Sequence, residues 1–129
     1  MSLPFAIDDL YAGLAEVRGM LRVQQQSIVL EFKVRDSVVN VVQSDIREVT
    51  IPFDQILEVA FRKGWFGFGA TLSLKAKSLK ALEGVPGNHD AELVVSVARK
   101  DRQLAREIAS QVNYELSEAR MKALGTGQG

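Results

Sequence analysis

Two hydrophobic periods divide this chain, and the change from one to the other near residue 100 is the strongest constraint on its fold. Before that point, apolar residues recur at every second position. Ala15, Val17, Gly19, Leu21 and Val23 alternate with Glu16, Arg18, Met20 and Arg22, and Ile28, Leu30, Phe32 and Val34 alternate with Glu31, Lys33 and Arg35. Such alternation reads as half-buried strand. The polar run Gln24-Gln25-Gln26-Ser27 between them is a short turn, so the two strands form an antiparallel pair. Residues 47–56 read as a strand ending near Pro52, which has no N–H for a central ladder, and Asp54 supports a turn before Leu57–Arg62. Leu72, Leu74 and Ala76 mark a further strand, turn residues crowd 83–90, and Leu93, Val95 and Val97 mark a last one. From Asp101, a plausible N-cap, the period changes: Leu104, Ile108, Val112 and Leu116 fall four apart, with Ala105 and Ala109 beside them.

Six or seven short antiparallel strands followed by one amphipathic helix predict a mainly β fold. The expectation is a barrel or strongly bent sheet, capped by a helix over about 101–119 that supplies the missing core face. The reading assigns 1–13 to an N-terminal arm, 14–120 to the domain and 121–129 to a flexible tail. The apolar stretch 37–45 is poorly periodic and takes no assignment.

Composition removes several function classes. At 129 residues the chain is one domain with enough core to need no metal or disulfide, and it has no cysteine for a thiol nucleophile or a zinc–thiolate site. Sixteen basic residues balance sixteen acidic ones, which counts against a dedicated nucleic-acid binder. The start, with Asp8 and Asp9, does not read as a secretory signal, and no window approaches the roughly 20 apolar residues of a membrane span. A cytoplasmic location is the expectation.

The element order resembles the pleckstrin-homology-like (PH-like) superfold, and within it the bacterial PH-like and GRAM-like domains. The likeness is carried by "IPFDQILEVAFRKGWFG" (51–67), the strand "ATLSLKAKS" (70–78), and a final strand running into "DRQLAREIASQVNYEL" (101–116). It covers roughly 14–119. The resemblance implies a non-catalytic domain that binds lipids, peptides or protein subunits.

Enzyme readings find little support. His89, the only histidine, sits in a Gly-Asn-His-Asp turn with no nucleophile motif, and with Asp90 and Glu92 it lacks a second nitrogen or sulfur metal ligand. No cofactor or metal is expected. The glycine-aromatic cluster 61–70 spells Gly-x-x-Gly-x-Gly, but a strand pattern follows it, so no helix N-terminus faces an anion there. Two aromatics separate Gly64 from Gly67, which breaks the alternation needed to stack rings on nucleic-acid bases. The cluster reads instead as a β-hairpin turn.

Two binding readings remain. The first uses the basic residues Arg22, Lys33, Arg35, Arg62 and Lys63 as an anion or lipid surface. Ten residues separate Arg22 from Lys33-Val34-Arg35, a spacing that resembles the phosphoinositide grip of some PH domains. The second uses Trp65, Phe66 and Phe68, with 37–45 and the N-terminal arm, for contact with a protein partner or a second copy of the chain. The expected function is a non-catalytic binding and scaffolding domain that self-associates, and the alternative is peripheral binding to an anionic membrane surface.

Overall fold

A computed structural model describes the chain except residues 37–40, 43–44, 65–68 and 128–129; Asp9, Val41, Val42 and residues 126–127 are described by backbone alone. The strands are β1 (Ser2–Leu10), β2 (Ala15–Val23), β3 (Ser27–Asp36), β4 (Val41–Val42), β5 (Arg47–Pro52), β6 (Ile56–Lys63), β7 (Ala70–Ala76) and β8 (Glu92–Val97), followed by the helix α1 (Arg102–Gly127). Seven strands have six residues or more, and all pairings are antiparallel. Along the sheet the order is β4-β3-β2-β1-β8-β7-β6, with β5 also pairing β3.

The alternation expected for 15–23 and 28–35 is present as β2 and β3, paired from Ala15↔Asp36 to Val23↔Ile28. Val17, Leu21, Ile28, Leu30 and Phe32 point into the core. Gly19 holds the one inward position on β2 that admits no side chain. A Cβ there would collide with the Glu31 carbonyl and stand 2.9 Å from the Phe5 ring. The ring of Phe5 thus occupies the space the glycine leaves, and β1, β2 and β3 close tightly over it.

Residues 1–13, expected as an arm, contain β1, which lies in the middle of the strand order. Leu3 and Phe5 are buried, and Ile7 packs against the same cluster. The helix also runs past the expected limit of 119, to Gly127. Its last buried residue is Leu116, and 117–125 are exposed.

Inward residues from β5 (Ile51), which lies off the path beside β3, and from β6 (Ile56, Val59), at one end of it, join a single core cluster with Ala105, Ile108, Val112 and Leu116 of α1. The sheet therefore wraps around one core. It does not close into the expected barrel: β5 and β6 are joined by a turn of 3-10 helix (Phe53–Gln55), and among the described residues no ladder links them. The physical reason lies on α1, which occupies the edge of β6. Val59 donates its N–H to Asn113 Oδ1 at 3.0 Å and accepts from Asn113 Nδ2 at 2.6 Å, so the side-chain amide replaces a missing strand. Arg120 Nη2 donates to the Leu57 carbonyl at 2.6 Å, and the Arg106 guanidinium lies 5.1 Å from the centre of the Phe61 ring. Helix residues 106, 113 and 120, seven apart, thus meet strand residues 61, 59 and 57, two apart. Seven helical residues rise about 10.5 Å and two strand residues about 6.6 Å, so the helix crosses the strand obliquely.

Candidate functional site

The outward positions of β2 and β3 carry the charges that the sequence placed there, and the structure gives most of them partners. Arg22 Nη1 donates to Glu31 Oε2 at 3.1 Å, and its Nη2 lies 3.5 Å from Glu48 of β5. Arg35 lies 3.8 Å from Glu16, which also faces Arg18 at 3.5 Å, and Arg18 is 3.8 Å from Asp8 of β1. Further along the sheet, Lys75 stands between Glu58 and Glu92, at 3.9 and 4.0 Å. Lys33, Arg62 and Lys63 are exposed, and their side chains have no hydrogen bond or ion pair among the described residues. The five expected cations therefore fall into two groups, with Arg22, Lys33 and Arg35 on β2 and β3, and Arg62 and Lys63 on β6. Strands β1, β8 and β7 separate them.

Trp65, Phe66 and Phe68 lie outside the described residues, as does most of 37–45. The strands around the aromatic cluster pair as a hairpin, with Lys63↔Ala70 the last register pair and the Gly64 N–H donating to the Gly69 carbonyl at 2.7 Å. Phe61 packs against the core.

His89 is 90% exposed, with Nε2 3.2 Å from Asp90 Oδ2. It begins a two-residue hairpin in which His89 and Glu92 exchange backbone bonds of 2.8 and 2.9 Å while Asp90 and Ala91 take φ of 50° and 61°. Positive φ at both central residues suits a type I′ turn, where glycine is the favoured second residue. Among the described residues, no group of three His, Asp or Glu stands close enough to hold a metal ion.

Two hollows were not legible in the sequence. One, of about 560 Å³, lies beside the turn between β1 and β2 and is lined by residues including Leu10, Leu14, Val34 and Pro86. In that turn Tyr11 and Ala12 hold φ of 51° and 58°, and the Tyr11 and Leu14 side chains are 69% and 58% exposed. Ile46, just before β5, is also exposed. Asp36 and Arg47, which bracket the 37–46 connection, line the same hollow. Non-glycine residues at positive φ carry strain of order 1–3 kcal/mol each, a cost that concentrates at functional positions.

The second hollow, of about 450 Å³, lies on the outer face where the two halves of the sheet meet. Ala6 of β1 and Ser96 of β8 form the single register pair between those halves and lie in it with Thr71. Arg18 and Asp8 flank one side, and the Gly64 and Gly69 base of the hairpin flanks the other. Their small side chains leave a depression where bulky outward residues would have filled the face.

Comparison of the chain with protein-family models, characterised proteins and solved structures returns no match. The class is therefore defined by the fold: a mainly β domain whose open antiparallel sheet, with seven strands of six residues or more and the short β4, is completed by one C-terminal helix. Among the described residues, no helix is long and apolar enough to cross a membrane.

Proposed function

We propose that this chain is a non-catalytic, PH-like binding and scaffolding module that acts through protein–protein contacts and self-associates through the turn between β1 and β2. The observation that carries the reading is the pairing of backbone strain with apolar display in that turn. Tyr11 and Ala12 are held at positive φ while Tyr11 and Leu14 extend into solvent beside a hollow lined by Leu10, Val34 and Pro86 together with Asp36 and Arg47. Stability alone would favour glycine at the strained positions and polar side chains at the exposed ones. A second copy of the chain would bury these side chains and offset the strain. The PH-like assignment draws support from the order of strands and helix.

Peripheral binding to anionic lipid is the lesser reading, because Arg22 and Arg35 already face Glu31, Glu48 and Glu16. A headgroup would have to displace carboxylates to reach them.

Light scattering after gel filtration tests the proposal. The intact chain should elute with a mass above its 14.2 kDa, and the double variant Tyr11→Ser/Leu14→Ser should return to that mass. A strict monomer at high concentration would sink the proposal.

A further inference from the structure

Pairing registers across the sheet set residues from six strands in one line. Lys33 of β3 faces Arg18 of β2, Arg18 faces Ala6 of β1, Ala6 faces Ser96 of β8, Ser96 faces Thr71 of β7, and Thr71 faces Arg62 of β6. Inward neighbours such as Phe5, Val17, Phe32, Leu72 and Val95 are buried, so this line lies on the outer face. It has cations at both ends and small uncharged side chains in the middle, and the hollow of about 450 Å³ lies over that middle.

We infer that this line is the docking path for an extended acidic segment of a partner protein. Carboxylates near one end of the segment meet Lys33 and Arg18, a carboxylate near the other end meets Arg62, and small uncharged residues cross the hollow between them. The end cations are available for this. The side chains of Lys33 and Arg62 hold no partner among the described residues. Arg18 is itself 64% exposed; its 3.8 Å contact with Asp8 is an exposed ion pair that costs little to exchange, and its 3.5 Å contact with the half-buried Glu16 leaves the rest of the guanidinium open. Arg22, by contrast, is committed to Glu31 by a 3.1 Å hydrogen bond.

Geometry favours an extended ligand over a compact anion or a bilayer. Five inter-strand spacings of about 4.8 Å span roughly 24 Å, the reach of about seven extended residues. A single phosphate cannot bridge the two ends, and Asp8 beside the hollow opposes a compact anion lodged in the middle. A flat membrane surface would leave the hollow empty. Ser96 and Thr71 are half-buried in the hollow with no side-chain hydrogen bond among the described residues, so their hydroxyls can meet a peptide backbone.

The inference rests on the protein-binding reading but uses a surface separate from the Tyr11–Leu14 turn, so the two can fail independently. The test uses the intact chain and a fluorescein-labelled heptapeptide, Glu-Glu-Gly-Ser-Gly-Glu-Glu, followed by anisotropy at low salt. The same peptide with glutamine in place of glutamate is the neutral control, and vesicles containing phosphatidylserine form a second arm. The acidic peptide should bind and the glutamine peptide should not. Arg18→Gln and Arg62→Gln should each weaken binding about fivefold, the effect of roughly 1 kcal/mol per contact. Lys80→Gln, which removes a charge elsewhere, should change it less than about twofold on the same scale. Ser96→Trp, which fills the hollow, should block binding; if it fails to fold, the exposed Arg62→Gln variant still decides. No binding of the acidic peptide, or equal weakening by Lys80→Gln, overturns the inference. So does binding to the vesicles that Arg18→Gln and Arg62→Gln abolish while peptide binding is unchanged.

Discussion

The edge of β6 and the turn that joins the interior strands β1 and β2 both present groups that no further strand covers, and the chain treats them oppositely. At β6 the outward backbone groups of Val59 and Leu57 find partners within the chain, Asn113 and Arg120 of α1. At the turn, the exposed side chains of Tyr11 and Leu14 find none among the described residues, although the backbone is held in a strained form to present them. An edge that could recruit another chain is a liability, and the helix removes it. The β5 edge is managed differently, by Pro52 and by the charged Arg47 and Glu48. A surface left apolar where the neighbouring edges are guarded is the place to look for a partner.

Variants that separate the two regions test this contrast. The largest effect is expected at the turn: Tyr11→Ser/Leu14→Ser should weaken self-association about a hundredfold, or near 3 kcal/mol. Its unfolding free energy should stay within about 0.5 kcal/mol, because both side chains are already largely exposed. Asn113→Leu should do the reverse. By orphaning the N–H and carbonyl of Val59 it should cost about 2 kcal/mol in denaturant unfolding and leave the dissociation constant unchanged. A loss of association in Asn113→Leu would break the contrast.

Smaller changes sharpen it. Ala12→Gly and Ala91→Gly should each raise stability by up to about 1 kcal/mol, since both alanines sit at positive φ. Neither should alter association appreciably, because each removes only one methyl group and leaves the Tyr11 and Leu14 side chains in place. Arg120→Ala should cost least, about 0.5 kcal/mol, as its bond to Leu57 is exposed to water.

The strands with a clean alternation were legible from the sequence. β2 and β7 bury one face and leave the other half-buried or exposed, β3 does the same from Leu30 onward although Val29 is buried too, and the turn before β3 is polar throughout. β1 was not legible because Pro4 and Ala6 stand at its outward positions, so Leu3, Phe5 and Ile7 alternate with no polar contrast. The expected barrel failed at a contact between Val59 and Asn113, residues 54 apart in the chain. On a helical pattern Asn113 reads as an ordinary exposed residue. The outward cations were placed correctly by period, but their carboxylate partners were not, since Glu48 meets Arg22 across β3. The row from Lys33 to Arg62 depends on β1 lying beside β8, a pairing between opposite ends of the sheet-forming chain. No local pattern encodes that pairing.

Hydrogen exchange at two protein concentrations tests the central claim most directly, because it reads both regions in one experiment. The Leu14 N–H donates to the Tyr11 carbonyl at 3.2 Å in an exposed turn, while Val59 is held by Asn113. Exchange in the segment spanning 10–15 should slow as concentration rises, and exchange at Val59 should be slow and unchanged. Equal exchange of residues 10–15 at both concentrations would contradict the account.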